Sequence, residues 1–268
     1  MSRRTPFTAG HRAGAGPPLV LLHGFTDTWR TWELVLPALE RRHEVLAPTL
    51  AGHAGGPPLP DPPDDDSLAD AVERAMDEAG MDLAHIAGNS LGGHVALQLA
   101  ARGRALTVTA LAPAGGWAEG DRSHRATLDH FSELRAPLRH VAPTIRRRLS
   151  MPDGRRRATA MIVEDDARMS DDLIAHQVVG AAACPGAEAL IARARTHGWP
   201  VDTSRIACPV RVVWGTADRL LPWPGAAAGF RGRRLTHADW VELDGVGHCP
   251  HLEAPEVVAD LILGFTGA

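Results

Sequence analysis

Residues 83–93 read LAHIAGNSLGG, and this stretch decides the fold. A short apolar run ends at Gly88-Asn89-Ser90-Leu91-Gly92, and a helix-like stretch follows. A serine with glycines two positions before and two after it is typical of a nucleophile elbow, a tight strand-to-helix turn that holds a hydroxyl above a sheet. Side chains at the two glycine positions would collide with the turn and the neighbouring strand. The pattern therefore predicts that Ser90 is a nucleophile whose hydroxyl is held above the sheet at the end of a buried strand.

Strand and helix patterns alternate on both sides of this turn. The β-rich apolar runs are at 17–22, 44–47, 83–87, 106–111 and 209–214. The helix-like segments are at 32–41, 67–79, 91–102 and 255–265, and Ser67 with Asp70 predicts a capping box at the start of the second. This alternation indicates an α/β fold with a doubly wound, mostly parallel sheet.

The β-rich runs disappear between Trp117 and about residue 200. This stretch has 13 arginines against 11 acidic residues, a net +2, whereas the rest of the chain has a net −6. We predict a helical cap over residues 117–200, inserted after the strand at about 106–112, and a core formed by residues 1–116 and 201–268. Trp117, at the start of the insert, is a candidate substrate-binding residue.

Composition excludes several kinds of chemistry. The 268 residues carry a net charge of −4, and all 28 cationic residues are arginine, because the chain has no lysine; it also has no tyrosine. Schiff-base lysines, P-loop lysines and catalytic tyrosines are therefore excluded. The three cysteines have neither zinc nor redox spacing. We expect a cytoplasmic protein with a small-molecule substrate, no cofactor, no metal, and neither nucleic acid nor membrane as partner; the oligomeric state stays open.

A serine hydroxyl needs a base, and the base needs an acceptor that orients it. The strand PVRVVWG is followed by Thr216-Ala217-Asp218, and DWVEL is followed by Asp244-Gly245-Val246-Gly247-His248. Both side chains therefore follow the carboxyl ends of strands, where open α/β sheets keep their sites. Ser90, Asp218 and His248 are the predicted catalytic residues.

In this order the three residues resemble the α/β-hydrolase family, and the resemblance covers about residues 17–265 with only the insert unmatched. His23-Gly24-Phe25 resembles the HG-x loop of the family. The resemblance implies that the backbone N–H groups of Phe25 and Leu91 form an oxyanion hole. Only about sixteen residues precede the first strong strand, so we expect fewer than the eight strands of the full family fold.

The resemblance implies a serine hydrolase that cleaves a carboxylic ester or thioester through an acyl-enzyme on Ser90. Carbon–carbon bond hydrolases of ring-cleavage products have a similar elbow, although Thr26-Asp27-Thr28 replaces their proline-containing sequence after HG. A cofactor-free perhydrolase or acyltransferase would use the same triad, and a non-catalytic ligand receptor can retain it. Haloalkane dehalogenases and many epoxide hydrolases use a carboxylate at the elbow, and the latter also use lid tyrosines, so this sequence argues against both.

Other polar residues receive simpler interpretations. His23 is expected to brace its loop, His94 to pack within the elbow helix and Cys249 to fill a small apolar space. A metal site at His248-Cys249-Pro250-His251 is disfavoured by the proline and by the lack of a third nearby ligand. The arginine runs at 146–148 and 155–157 are expected to be solvated faces of the insert.

Overall fold

A computed structural model describes residues 7–267, which form one sheet with helices around it. The strands are β1 (Gly10–Gly14), β2 (Pro18–Leu22), β3 (Glu44–Pro48), β4 (Ala84–Asn89), β5 (Ala105–Leu111), β6 (Val210–Gly215) and β7 (Asp239–Leu243). Their order is β1-β3-β2-β4-β5-β6-β7, and every neighbouring pair is parallel except β1 with β3. The predicted mostly parallel sheet is confirmed.

The antiparallel edge is short. β1 pairs with β3 in the register Gly10 to Pro48, and the Thr49 hydroxyl donates to the carbonyl of Thr8 at 2.9 Å. Within residues 7–267 the sheet has seven strands, in agreement with the prediction of fewer than eight.

Both faces of the sheet are covered. Along β2, Leu19 and Leu21 belong to one apolar cluster, with Trp32, and Leu22 belongs to another, with Ile86. Alternate side chains of a strand point to opposite faces, so a strand buried on both sides is apolar throughout. This explains the continuous apolar runs in the sequence.

Within residues 7–267, five α-helices outside the segment between β5 and β6 accompany the sheet. They are α1 (Leu36–Leu39), α2 (Ser67–Glu78), α3 (Leu91–Ala101), α9 (Pro250–Glu253) and α10 (Pro255–Thr266). The prediction of one helix over 32–41 is wrong, because a 3₁₀ turn at Trp29–Trp32 comes first and α1 is one turn long. Pro37 explains the late start, since proline lacks the N–H that a continuing helix would need and fits the first turn of a new one.

The predicted capping box at Ser67 is also wrong. The Ser67 hydroxyl donates to Asp64 at 2.5 Å, and Asp70 accepts a hydrogen bond from Arg102 at 2.7 Å. The loop carboxylate and the arginine of a neighbouring helix are charged partners, and charge-assisted hydrogen bonds are stronger than the neutral bonds of a capping box.

The segment between β5 and β6 is helical. It contains α4 (His124–Val141), α5 (Ile145–Leu149), α6 (Gly154–Thr159), α7 (Asp171–Ala183) and α8 (Ala187–His197). Leu173 and Ile174 of α7 share an apolar cluster with Cys249 and Leu252, which lie just after β7. The inserted helices therefore pack on the loops at the carboxyl edge of the sheet.

No single helix in the described part of the chain is both long and apolar enough to cross a membrane. Helices α7 and α8 are long and apolar enough for a membrane span only when they are combined, and the chain bends between them.

We predict that Gly92→Ala lowers the free energy of unfolding by about 2–3 kcal/mol or more. A Cβ at this position of α3 would clash with the carbonyl oxygen of Leu22 and lie 2.6 Å from that of His23. The matched control is Gly264→Ala in α10, where no atom beyond the helix's own nearby backbone lies within 4 Å of the added Cβ. That variant should gain up to about 1 kcal/mol from helix propensity. Equal stability of the two variants in urea unfolding would contradict the packing described here.

Candidate active site

Ser90 lies in a sharp turn between β4 and α3. Its backbone has φ +55° and ψ −114°, a conformation that costs a non-glycine residue about 1–3 kcal/mol. The Ser90 N–H donates to Leu111 at 2.8 Å, and its carbonyl accepts from His94 and from Ala114, each at 3.0 Å. A Cβ at Gly88 would clash with the Gly92 carbonyl oxygen. The strained turn is therefore fixed by backbone bonds and by the absence of side chains beside it.

Asp218 and His248 are brought together by the next parallel strands. Asp218 follows β6 and His248 follows β7, and His248 Nδ1 lies 2.7 Å from Asp218 Oδ2. The other carboxylate oxygen accepts the backbone N–H groups of Leu220 at 2.8 Å and Leu221 at 2.7 Å. Both side chains are buried. Because a carboxylate only accepts, the 2.7 Å contact places a proton on Nδ1, so Nε2 is the ring nitrogen that can accept a proton.

Ser90 and His248 line the same cavity of about 450 Å³. His248 Nε2 is buried and has no hydrogen-bond partner within residues 7–267, so the Ser90 hydroxyl is not bonded to it. In unliganded sites such contacts are often long and tighten when substrate binds.

The two predicted oxyanion residues both lie near Ser90. Leu91 is the first residue of α3, so its N–H has no intrahelical acceptor, and Phe25 lines both cavities that adjoin Ser90. The Phe25 loop is braced by His23, whose Nε2 accepts the Leu50 N–H at 2.8 Å and whose Nδ1 lies 2.8 Å from the Gly24 carbonyl oxygen. Burial keeps the pKa of His23 well below its ordinary value, so the ring is neutral.

Asn89 is a residue that the sequence reasoning missed. Its side-chain amide donates to the carbonyl of His248 at 3.0 Å and to that of Leu111 at 3.2 Å, and its Oδ1 is 3.5 Å from Cys249 Sγ. The residue before Ser90 therefore holds the loop that carries His248. No sequence signal indicated this, because the elbow motif leaves the position open.

Asp27 and Gln177 form a second group that was missed. Gln177 Nε2 of α7 donates to Asp27 Oδ2 at 2.8 Å, and both residues line the large cavity with Ser90 and His248. Desolvation raises the pKa of the Asp27 carboxyl above its ordinary value. The large cavity therefore has the Asp27 carboxyl in its lining, whereas the buried Asp218 does not line it.

The remaining candidates behave as buried neutral groups. Burial, together with nearby carboxylates, raises the pKa of the Cys249 thiol far above its ordinary value, which disfavours a nucleophilic thiolate. His94 packs edge-on against Trp199 at 5.4 Å, and burial lowers its pKa to about 4. His251 Nε2 is 2.8 Å from the Thr31 hydroxyl. Among the described residues, no three His, Cys, Asp or Glu side chains are grouped as metal ligands.

Trp117 and some of the arginines in the two runs line cavities. Trp117 lines a separate cavity of about 30 Å³ beside Ser90, and it does not line the large cavity. Of the arginines, Arg146 bonds Asp172, whereas Arg148 and Arg157 line the large cavity. The prediction that these runs are simply solvated faces is therefore incomplete.

Comparison with known proteins places this geometry in context. A family model described as the alpha/beta hydrolase family matches residues 19–261. The chain is 37% identical over 204 residues to Epoxide hydrolase EphH of Mycobacterium tuberculosis, covering 74% of this chain and 92% of the relative. It is 31% identical over 264 residues to the pimeloyl-[acyl-carrier protein] methyl ester esterase of Aromatoleum aromaticum, covering 92% and 96%. The solved meta-cleavage product hydrolase of Pseudomonas fluorescens IP01 superposes with a TM-score of 0.71 at 20% identity, covering 99% and 97%, which is a likeness of fold.

We predict that acidification destabilises the fold. Desolvation is the main cause that lowers the pKa of His53, His94 and His176 to about 4 and that of His251 to about 3, from an ordinary value of 6.5. The unfolded chain takes up protons at these positions below about pH 6.5, and the folded chain does not. Stability from the neutral rings is therefore complete above pH 6.5 and is lost as the pH falls toward 4.

His251→Gln tests this directly. Removal of one such ring should make the fall of the unfolding free energy between pH 6.5 and 4.5 shallower by up to about 1.4 kcal/mol per pH unit. The control is His237→Gln at an exposed position, which should leave the slope unchanged. Equal slopes for wild type and His251→Gln would show that His251 is not a neutral buried ring.

Proposed function

The chain belongs to the alpha/beta hydrolase family, and from this premise we propose that it is a serine hydrolase that cleaves a carboxylic ester or thioester of a small molecule. One observation carries the proposal. His248 is held by Asp218 through Nδ1, and its Nε2 is left without a partner among the described side chains, beside the cavity that Ser90 lines. This is the arrangement that a general base for a serine hydroxyl requires.

The proposed reaction has two halves. Ser90 Oγ attacks the carbonyl carbon while His248 Nε2 takes its proton, and Asp218 stabilises the imidazolium. The tetrahedral oxygen is bound by the N–H groups of Phe25 and Leu91, with the N-terminal dipole of α3 aimed at the same charge. The carbon–oxygen or carbon–sulfur bond then breaks, His248 protonates the leaving group, and water hydrolyses the acyl-enzyme by the reverse proton path.

We further propose that residues 117–200 act as a cap. Three polar pairs fasten α7 to the loop after β2: Arg30 with Asp172 at 3.2 Å, Thr28 with His176 at 3.0 Å and Asp27 with Gln177 at 2.8 Å. The base, its acceptor and the oxyanion donors all come from outside the segment. The cap would therefore select substrates and exclude water, and it would take no part in proton transfer.

Epoxide hydrolysis is a second candidate, which the likeness to Epoxide hydrolase EphH favours. Attack of Ser90 on an epoxide would give an alkyl ether of serine, which has no carbonyl for water to attack, so the enzyme would stop after one turnover. A carboxylate nucleophile avoids this stop, because its ester can be hydrolysed. This chain has Ser90 at the elbow and no tyrosine, and we rank epoxide hydrolysis below ester hydrolysis.

We predict that Ser90→Ala lowers kcat for a short chromogenic ester by about 10⁴-fold or more, because the reacting oxygen is lost. The unfolding midpoint should be retained, since Ala has the same backbone needs as Ser. Ser150→Ala, at an exposed position, is the control and should keep wild-type activity. Wild-type turnover by the Ser90 variant would remove the assignment.

We also predict stoichiometric inactivation by a serine-directed phosphonate and no inactivation by a chelator. Styrene oxide should not be turned over catalytically. Multiple turnovers of the epoxide by wild-type protein would instead support the second candidate, and loss of activity on chelation would require a metal in the mechanism.

A further inference from the structure

Ser90 stands between two cavities of very different size. The small cavity, of about 30 Å³, and the large cavity, of about 450 Å³, share Phe25, Ser90, Phe131 and Leu220. The rings of Phe25 and Phe131 are 4.8 Å apart and meet at 87°, so they form part of the wall that separates the two spaces. A substrate bound at Ser90 therefore has one narrow side and one wide side.

Resting on the proposed serine hydrolase activity, we propose that the substrates are esters of short, unbranched acids with large, mainly apolar alcohols. The acyl chain occupies the small cavity, and the alcohol, which is the leaving group, occupies the large one. This assignment names a substrate class that the catalytic residues alone do not specify.

The orientation of the ester in the two cavities follows from the position of His248. The leaving oxygen must come within hydrogen-bond reach of His248, which protonates it. His248 lines the large cavity and is absent from the small one, whereas Leu91, an oxyanion donor, lines the small cavity and is absent from the large one. The leaving group therefore extends into the large cavity, and the acyl chain is directed to the other side of the carbonyl carbon.

The small cavity sets a strict limit on acyl length. A single water needs roughly 10–15 Å³ of such space, so about 30 Å³ accommodates roughly two groups of that size. Its walls are almost entirely apolar and include Leu128 and Ile191, which belong to one packed cluster. Acetyl and propionyl groups fit this volume, whereas an octanoyl chain would have to displace packed side chains.

Trp117, His124 and Trp199 close the small cavity on its outer side. The same three residues line a surface cleft, so they form the partition between that cleft and the cavity beside Ser90. Trp117 and His124 contact each other, with ring centroids 5.6 Å apart. The acyl limit therefore depends on aromatic side chains of the inserted segment and its junction, which can be changed without touching the reacting groups.

The large cavity suits a long leaving group. Its lining is mainly apolar and includes Leu134, Leu138 and Ile174. Met151 and Met161, which are 53% and 37% exposed, also line it, so the apolar path continues to the protein surface. An extended alcohol can therefore leave through an open side, whereas the acyl side is closed.

The test uses two isomeric esters of equal composition, octyl acetate and ethyl octanoate. We expect kcat/KM for octyl acetate to exceed that for ethyl octanoate by at least about tenfold, because a few methylenes misplaced in a closed pocket cost that much. Turnover of p-nitrophenyl acetate and labelling of Ser90 by a fluorophosphonate are measured in parallel. Those two readouts report the proposed function separately from the substrate class.

Two leucines of α4 provide matched variants. Leu128→Ala enlarges only the small cavity and should lower the octyl acetate preference at least about threefold, whereas Leu134→Ala enlarges only the large cavity and should keep the preference. Leu128→Val is the milder variant, available if the alanine variant does not fold.

Trp117→Ala opens the partition to the surface cleft. It should shift acyl preference and KM toward longer chains more than it lowers kcat for the smallest ester. An equal fall in kcat for every ester, with preference unchanged, would contradict the place of Trp117 in acyl selection.

The outcomes distinguish a wrong substrate class from a wrong proposed function. Equal rates, a preference for ethyl octanoate, or turnover of p-nitrophenyl acetate without turnover of octyl acetate would overturn the substrate class and leave the serine hydrolase standing. Failure to turn over any ester, together with an unlabelled Ser90, would overturn the proposed function itself.

Discussion

The tight turn at Ser90 is the constraint on which the rest of the structure depends. Gly88 and Gly92 leave no room for a Cβ because the chain passes against itself and against the carbonyls at the end of β2. This closeness lets α3 begin directly after Ser90 and brings the loop of Gly24 and Phe25 close to it. The cost of the left-handed φ at Ser90 is offset by backbone hydrogen bonds and by the buried apolar face of α3.

The loop that carries His248 is positioned by its own hydrogen bonds, and one side chain connects this loop to the turn at Ser90. Asn89 joins the elbow to the carbonyl of His248, and Glu253 accepts the N–H groups of Gly247, Glu164 and Asp165 at 2.9–3.2 Å. The loop of the predicted base is thus bonded to the elbow, and Glu253 bonds both this loop and the loop between α6 and α7. The inserted segment and the loop of His248 are therefore joined by hydrogen bonds to one carboxylate.

The sheet and the candidate triad could be predicted from the sequence because they depend on local patterns, such as apolar runs, glycine spacing and the residues after strands. Prediction from the sequence failed where partners come from distant elements. Asp70 bonds Arg102 and does not take part in a cap at Ser67. Pro37 interrupts a stretch that hydropathy alone predicts to be one continuous helix. Asp27 accepts a hydrogen bond from Gln177, which lies 150 residues further along the chain. Phe25 and Phe131 separate the two cavities through three-dimensional packing that no single segment of the sequence encodes.

In the proposed mechanism, Ser90 carries the acyl group during turnover. The direct measurement is acid quenching of the protein during reaction with p-nitrophenyl acetate, followed by peptide mass spectrometry. We expect one acetyl group on the peptide that contains Ser90, and none on that peptide in the Ser90→Ala variant. Acetyl transfer to Asp27 or Cys249 at catalytic rates, or turnover with no acylated peptide at any quench time, would contradict it.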